Sequence, residues 1–162
     1  MITPLQNWSG TVSSNMKITL GTGIDKLAFG FNIAKTEQVW GAAEKSYTDE
    51  SGDKFLAYFS RKTALRFEKE QAFRLTWIEC FSPEITLLDK HPFEIPIESL
   101  TYLIEQRDAE EPEVFEMGWL ETIYYAEESL EFQLQFGELS AVNCGVHFDE
   151  QDRPLWPKSE TN

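Results

Sequence analysis

Between residues 108 and 152 the chain has no lysine and no arginine, while thirteen aspartates and glutamates accumulate there. Residues 1–90 balance eleven acids against eleven bases, whereas 91–162 carry seventeen acids and three bases, so the formal charge of −14 belongs to the second half. A surface this poor in cations cannot neutralise phosphates, which argues against direct nucleic-acid binding. Histidine and cysteine are scarce as well. His91 and His147 stand alone, without a second histidine or cysteine at metal-ligand spacing, and each is read as a surface or structural residue. Cys80 and Cys144 lie far apart inside strand-like runs, which fits buried thiols in a reducing compartment better than a disulfide frame. No apolar run approaches the roughly 20 residues of a membrane span, and the amino terminus lacks a basic n-region followed by an apolar core. These absences predict a cytoplasmic protein without membrane, metal or cofactor.

What is present is aromatic and apolar enough to fold: 41% hydrophobic and 14% aromatic residues exceed what an acidic disordered tail carries. At 162 residues the chain fits one compact domain, 1–162. Within it, Asp25-Lys26-Leu27-Ala28-Phe29-Gly30-Phe31-Asn32-Ile33 matches Asp89-Lys90-His91-Pro92-Phe93-Glu94-Ile95-Pro96-Ile97 at four of nine positions, sixty-four residues apart. The same offset carries Leu75 onto Leu139, Ile78 onto Val142 and Cys80 onto Cys144. A diverged tandem repeat over about 18–82 and 85–148, with an extension 149–162, accounts for it.

Each copy opens with a helix signal. Asn32 is an N-cap candidate before Ile33, Thr36, Val39 and Trp40, with Gly41 as the stop. Pro96 precedes Ile97, Leu100, Leu103 and Ile104, which paint one helical face. Three strand-like runs follow in each copy: Phe55–Ser60, Thr63–Lys69 and Phe73–Phe81, then Trp119–Ala126, Leu130–Phe136 and Leu139–Phe148. Leu130, Phe132, Leu134 and Phe136 alternate with Glu131, Gln133 and Gln135, the period of a half-buried strand. The expected class is α+β: two copies of a short helix plus antiparallel strands, both helices packed on one side of a shared antiparallel sheet. A solvated face would carry Arg66, Glu68, Trp77, Glu79, Glu121, Glu131, Gln133, Gln135 and Asn143, with the parity of the first and third runs open.

Chemistry is thinly represented. Glu110-Glu111, Glu127-Glu128 and Asp149-Glu150 are paired carboxylates, but adjacent acids in polar turns are a solvated edge unless they converge in a pocket. Gly21-Thr22-Gly23 lacks the third glycine and the lysine of a phosphate loop. Asp149-Glu150-Gln151-Asp152 lacks the rest of a calcium loop.

The run Gly23-Ile24-Asp25-Lys26-Leu27-Ala28-Phe29-Gly30, then Trp40-Gly41, then Pro83-Glu84-Ile85-Thr86-Leu87, then Phe148-Asp149-Glu150-Gln151-Asp152-Arg153-Pro154-Leu155-Trp156-Pro157, is similar to small cytosolic bacterial proteins found beside secreted polymorphic toxins. Their tandem architecture resembles that of the β-lactamase inhibitory proteins, although this chain lacks those proteins' signal peptide and paired disulfides. The likeness covers about 18–157. It implies an immunity protein that inhibits a cognate toxin in a 1:1 complex, as a monomer, by occluding a basic active-site or substrate-binding surface. The expected partner surface lies on the second copy: Glu110, Glu111, Glu113, Glu116, Glu121, Glu127, Glu128, Asp149 and Glu150 with Trp119, Tyr124 and Tyr125 as aromatic anchors. The alternatives are a small-ligand binder or carboxylate-dependent enzyme with a pocket between sheet and helices, and a housekeeping interaction module.

Overall fold

A computed structural model describes residues 16–107 and 110–158. The readings of the amino terminus and of the last four residues lie outside the described residues. Helix α1 (Ile33–Trp40) is followed by four strands, β4 (Lys45–Thr48), β5 (Lys54–Tyr58), β6 (Thr63–Glu68) and β7 (Arg74–Cys80). Helix α2 (Ile97–Glu105) is followed by β9 (Glu113–Met117), β10 (Leu120–Tyr125), β11 (Leu130–Gln135) and β12 (Glu138–Gly145). Together they form an eight-stranded sheet in the order β4-β5-β6-β7-β12-β11-β10-β9, antiparallel at every pair.

The expected class, α+β, holds in coarse form, with strands far outweighing the two short helices. Three details differ. Each group has four strands rather than three, because β4 and β9 add an outer strand at each end. A second sheet, β3-β2-β1-β8, is built from β1 (Lys17–Thr19), β2 (Gly23–Ile24), β3 (Leu27–Ala28) and β8 (Thr86–Leu87). Its β1 and β8 run parallel, pairing Ile18 with Leu87, so not all strands are antiparallel and not all share one sheet. These two- and three-residue strands hold because Ile18, Ile24, Leu27 and Leu87 are buried in the common core rather than through their few ladder bonds.

Where β7 meets β12, Glu79 faces Asn143, Cys80 faces Val142 and Ile78 faces Cys144. The Glu79–Asn143 pair is thus sixty-four residues apart, and exchanging the halves by that offset maps these three pairs onto themselves, while the fourth pair, Trp77 with Gly145, has no counterpart. Asp25 and Asp89, separated by the same offset, both turn at positive φ, 54° and 64°.

Local chemistry sets the helix limits. Asn32 Oδ1 accepts from the Lys35 amide at 2.8 Å, satisfying an orphan donor, and Gly41 ends α1 at φ 86° where a side chain would be strained. Trp40 meets the Tyr58 ring edge-on at 5.2 Å, and the Tyr58 hydroxyl donates to the Gly41 carbonyl. On α2, Leu100 and Ile104 are fully buried, and Glu105 lies within reach of the Tyr125 hydroxyl. Cross-strand partners share a face of a sheet. Tyr58, Leu65, Phe67, Ile78, Cys80, Val142, Cys144, Phe132, Leu130 and Tyr125 therefore line one face, the one both helices touch, and they form a single core. Both cysteines are free and fully buried there; burial pushes the Cys80 thiol up to about 12 and raises that of Cys144 as well.

Two outcomes are expected. Phe132→Ala should lose about 3–5 kcal/mol in denaturant unfolding. Native-state labelling of Cys80 and Cys144 should be slow, with both thiols reacting together once the sheet opens; rapid labelling of either would contradict this packing.

Candidate functional site

Among the described residues no helix lies on the opposite face of the large sheet. One transverse row can be followed strand by strand through the register: Lys45, Ala57, Ala64, Glu79, Asn143, Glu131, Tyr124, Glu113. The adjoining row runs Tyr47, Phe55, Arg66, Trp77, Gly145. The expected solvated set is thereby placed, with two corrections, the first being that Asn143 lies on this face but is buried. Glu121 pairs with Leu134 and so belongs to the helix-bearing face.

At the centre of the open face a glycine is required. A Cβ on Gly145 would stand 2.6 Å from the Trp77 ring, so the Cε3 and Cζ3 side of the indole packs directly against this residue. Beside it, Asn143 is only 2% exposed and donates Nδ2 to Glu131 at 2.7 Å, while its Oδ1 has no hydrogen-bond partner. Burial raises the Glu79 carboxyl above the ordinary carboxylate range, and the negative Glu131 raises it further. A hydrogen bond from the Trp77 side chain and the positive Arg66 oppose the shift. Arg66 is otherwise committed: its Nε and guanidinium NH2 nitrogen reach Asp53 Oδ2 at 3.0 and 2.7 Å. Burial also raises the Tyr124 phenol, against a Ser129 hydrogen bond and with Glu113 and Glu131 adding to the rise.

The β9 end of the sheet is apolar and open. Val114, Phe115, Met117, Trp119 and Phe136 are all exposed, Met117 at 72% and Phe136 at 79%. Trp119 stacks on Phe136 at 5.4 Å, linking the tips of two hairpins, and the Phe136 amide donates to the Trp119 carbonyl. The β9–β10 turn is the two residues Gly118-Trp119, so Met117 and Leu120 exchange both backbone bonds and Val114 and Glu116 turn theirs to the free edge. Phe136, at φ 53°, occupies a left-handed position that favours Asn or Gly. Sequence reasoning overlooked Phe136, Phe115 and Met117. The Phe136-Gly137 pair between two alternating runs was the available signal for a hairpin tip.

The residues expected to form the partner surface do not all come together. Glu113 and Tyr124 share the open face with Glu79 and Glu131. Glu116 and Glu121 pair with each other on the helix-bearing face of the edge. Glu110 and Glu111 are exposed in the approach to β9, Trp119 is at its far end, and Glu127 is exposed in the β10–β11 turn. Three assignments need correction. Tyr125 is 1% exposed and belongs to the core, where it meets Phe132 edge-on. Glu128 is buried and holds Arg107 Nε at 2.9 Å, with His147 Nε2 at 4.0 Å, tying the end of α2 to the β10–β11 turn. Asp149 accepts from the Gln151 and Arg153 amides and from Arg153 Nε, which hold its carboxyl below the usual range; it clasps its own loop, with Glu150 exposed beside it. Among the described residues no three His, Cys, Asp or Glu side chains converge to hold a metal, and His91 is exposed.

No protein-family model and no curated protein matches the chain. Among solved structures it is similar to an extracellular protein containing a SCP domain from Bacillus anthracis str. Ames, at 11% identity and a TM-score of 0.47. That match covers 82% of this chain and 50% of the other, so the chain spans about half that protein's length.

Two predictions follow from the geometry. Because the folded Glu79 carboxyl is raised, ionisation favours the unfolded chain, and stability falls as pH rises through the ordinary value near 4.5 and on through the folded value. Glu79→Gln should therefore melt higher than wild type at pH 7, with the gap closing as pH drops below 4.5; equal melting at both pH values would remove the shift. Phe136→Asn should raise the urea midpoint, gaining about 1 kcal/mol by relieving the left-handed aromatic.

Proposed function

We propose that this protein is a stoichiometric inhibitor, an immunity protein that occludes a basic active-site or substrate-binding surface of a cognate bacterial toxin in the cytoplasm. The observation that carries the reading is the β9 end of the sheet, where exposed Phe115, Met117, Trp119 and Phe136 stand among Glu110, Glu111, Glu113 and Glu116. Interfaces draw most of their energy from a few aromatic anchors, while charges steer approach and exclude wrong partners. An exposed aromatic in a left-handed turn, stacked on an exposed tryptophan, costs stability in the free protein, which is intelligible where a partner covers it. Among the described residues no helix is long and apolar enough to cross a membrane.

The scaffold for this surface is read as two diverged copies of one helix-and-meander unit. The β7–β12 ladder, which pairs Glu79 with Asn143 sixty-four residues apart, and the turns at Asp25 and Asp89 support that reading. The first copy then supplies the supporting half of the sheet, and the second presents the acidic, aromatic end in a 1:1 complex.

The deciding experiment is co-purification with the product of a neighbouring toxin-like reading frame, followed by substitution. Trp119→Ala and Phe136→Ala should each weaken binding by about 2 kcal/mol, roughly thirtyfold. Charge reversal at Glu110, Glu111, Glu113 and Glu116 should slow association, most strongly at low salt, where screening lengths exceed about 10 Å. If only reversal at Glu37, Glu44, Asp49 and Glu50 abolishes protection, the interface belongs to the first half and this reading is wrong.

A further inference from the structure

The centre of the open face has an acceptor-rich composition that its own cations leave unanswered. Glu79 and Glu131 stand on either side of Asn143, two strands apart, so their backbones are about 10 Å from each other. Asn143 donates Nδ2 to Glu131, so Oδ1, at the other end of the planar amide, is not directed at that carboxylate. This oxygen is buried and unpartnered, a state that costs stability and calls for a donor. The nearest cation, Arg66, has both its Nε and a terminal nitrogen on Asp53. Lys45 ends the row three strands beyond Glu79, with its Nζ over the Tyr47 ring. Between them, Ala57 and Ala64 leave the approach free of bulk.

We propose that Glu79, Asn143 and Glu131 form a receptor for an arginine side chain presented by a partner, with the Trp77 ring as its aromatic wall. Two carboxylates and a carbonyl oxygen offer acceptors only, and a guanidinium offers five donors in a rigid plane. The Trp77 indole, held against Gly145, gives that plane a surface to stack on, as arginine does readily on aromatic faces. A single guanidinium set between the two carboxylates offsets the repulsion between them, so the bound cation stabilises the sheet that holds it. A lysine ammonium supplies the charge without the plane and binds less tightly. The site goes beyond the inhibitor reading: it lies several strands from the β9 edge and specifies ligand chemistry whatever protein brings it.

The test therefore uses a small probe and no toxin. Capped arginine, N-acetyl-arginine methylamide, is titrated into isotope-labelled protein at pH 7 and low salt, following the Asn143 side-chain amide and the Trp77 indole N–H by NMR. Both signals should shift saturably with one dissociation constant on the order of 1 mM. Capped lysine should bind at least threefold more weakly. Glu79→Gln and Glu131→Gln should each weaken the arginine response about fivefold or more while the protein stays folded by melting, and Glu150→Gln should leave it unchanged. The proposal is overturned by linear shifts spread evenly over the acidic surface, by a response that survives both substitutions, or by magnesium alone producing the same saturable shifts. Failure of toxin binding with an intact arginine titration would remove the inhibitor reading and keep this site; the reverse would remove this site alone.

Discussion

Everything in this structure depends on the antiparallel junction between β7 and β12. Four cross-strand pairs, from Val142 with Cys80 to Gly145 with Trp77, turn two four-stranded meanders into one sheet. Without it each meander would leave a long unpaired edge whose N–H and C=O groups invite other chains. The same pairs place Cys80, Ile78, Val142 and Cys144 side by side on the helix-bearing face, so the two halves share one core. On the other face they bring Glu79, Asn143 and Trp77 together. Core and open-face centre are therefore fixed by a single register, and a slip of one residue would exchange them.

The two ends of the sheet differ in kind. Around β5 and β6 the charges are answered locally: Asp53 holds Arg66 and accepts from the Lys69 amide, and Asp49 caps its own turn through the Ser51 and Asp53 amides. In the second half Glu128 and Asp149 are answered in the same way, by Arg107 and Arg153. The second half as a whole carries seventeen acids against three bases. Glu110, Glu111, Glu113 and Glu116 of that excess stand at β9 and its approach, beside the exposed aromatics.

Much of this was legible in the residues. The Asn32 cap and the Gly41 stop were readable because a cap is a local event. The Leu130, Phe132, Leu134 alternation announced β11 because that strand has one buried and one solvated face. β4 and β9 escaped notice for the opposite reason: as outer strands they are exposed along their whole length, so Lys45–Thr48 and Glu113–Met117 carry no alternation. The small sheet was invisible because its two-residue strands are held by distant neighbours. Tyr125 and Glu128 were misassigned to the surface because only the docking of α2 buries them. Phe136 was read as the last buried residue of the β11 alternation, but it lies past the end of β11 at φ 53° and is exposed, because its turn is made by an aromatic in a conformation that sequence rules reserve for Asn and Gly.

The geometry at residues 79 and 143 carries a last consequence. On the proposed duplication these two positions are counterparts, and they also face each other directly across the junction. Identical copies would therefore have set Glu against Glu, or Asn against Asn, at the axis itself. The first pairing crowds like charges; the second leaves amides competing for the same donors and acceptors. At every other position the copies could remain alike without meeting. Here, at the fixed point of the exchange, likeness is itself the conflict, and the difference between the halves begins at their contact.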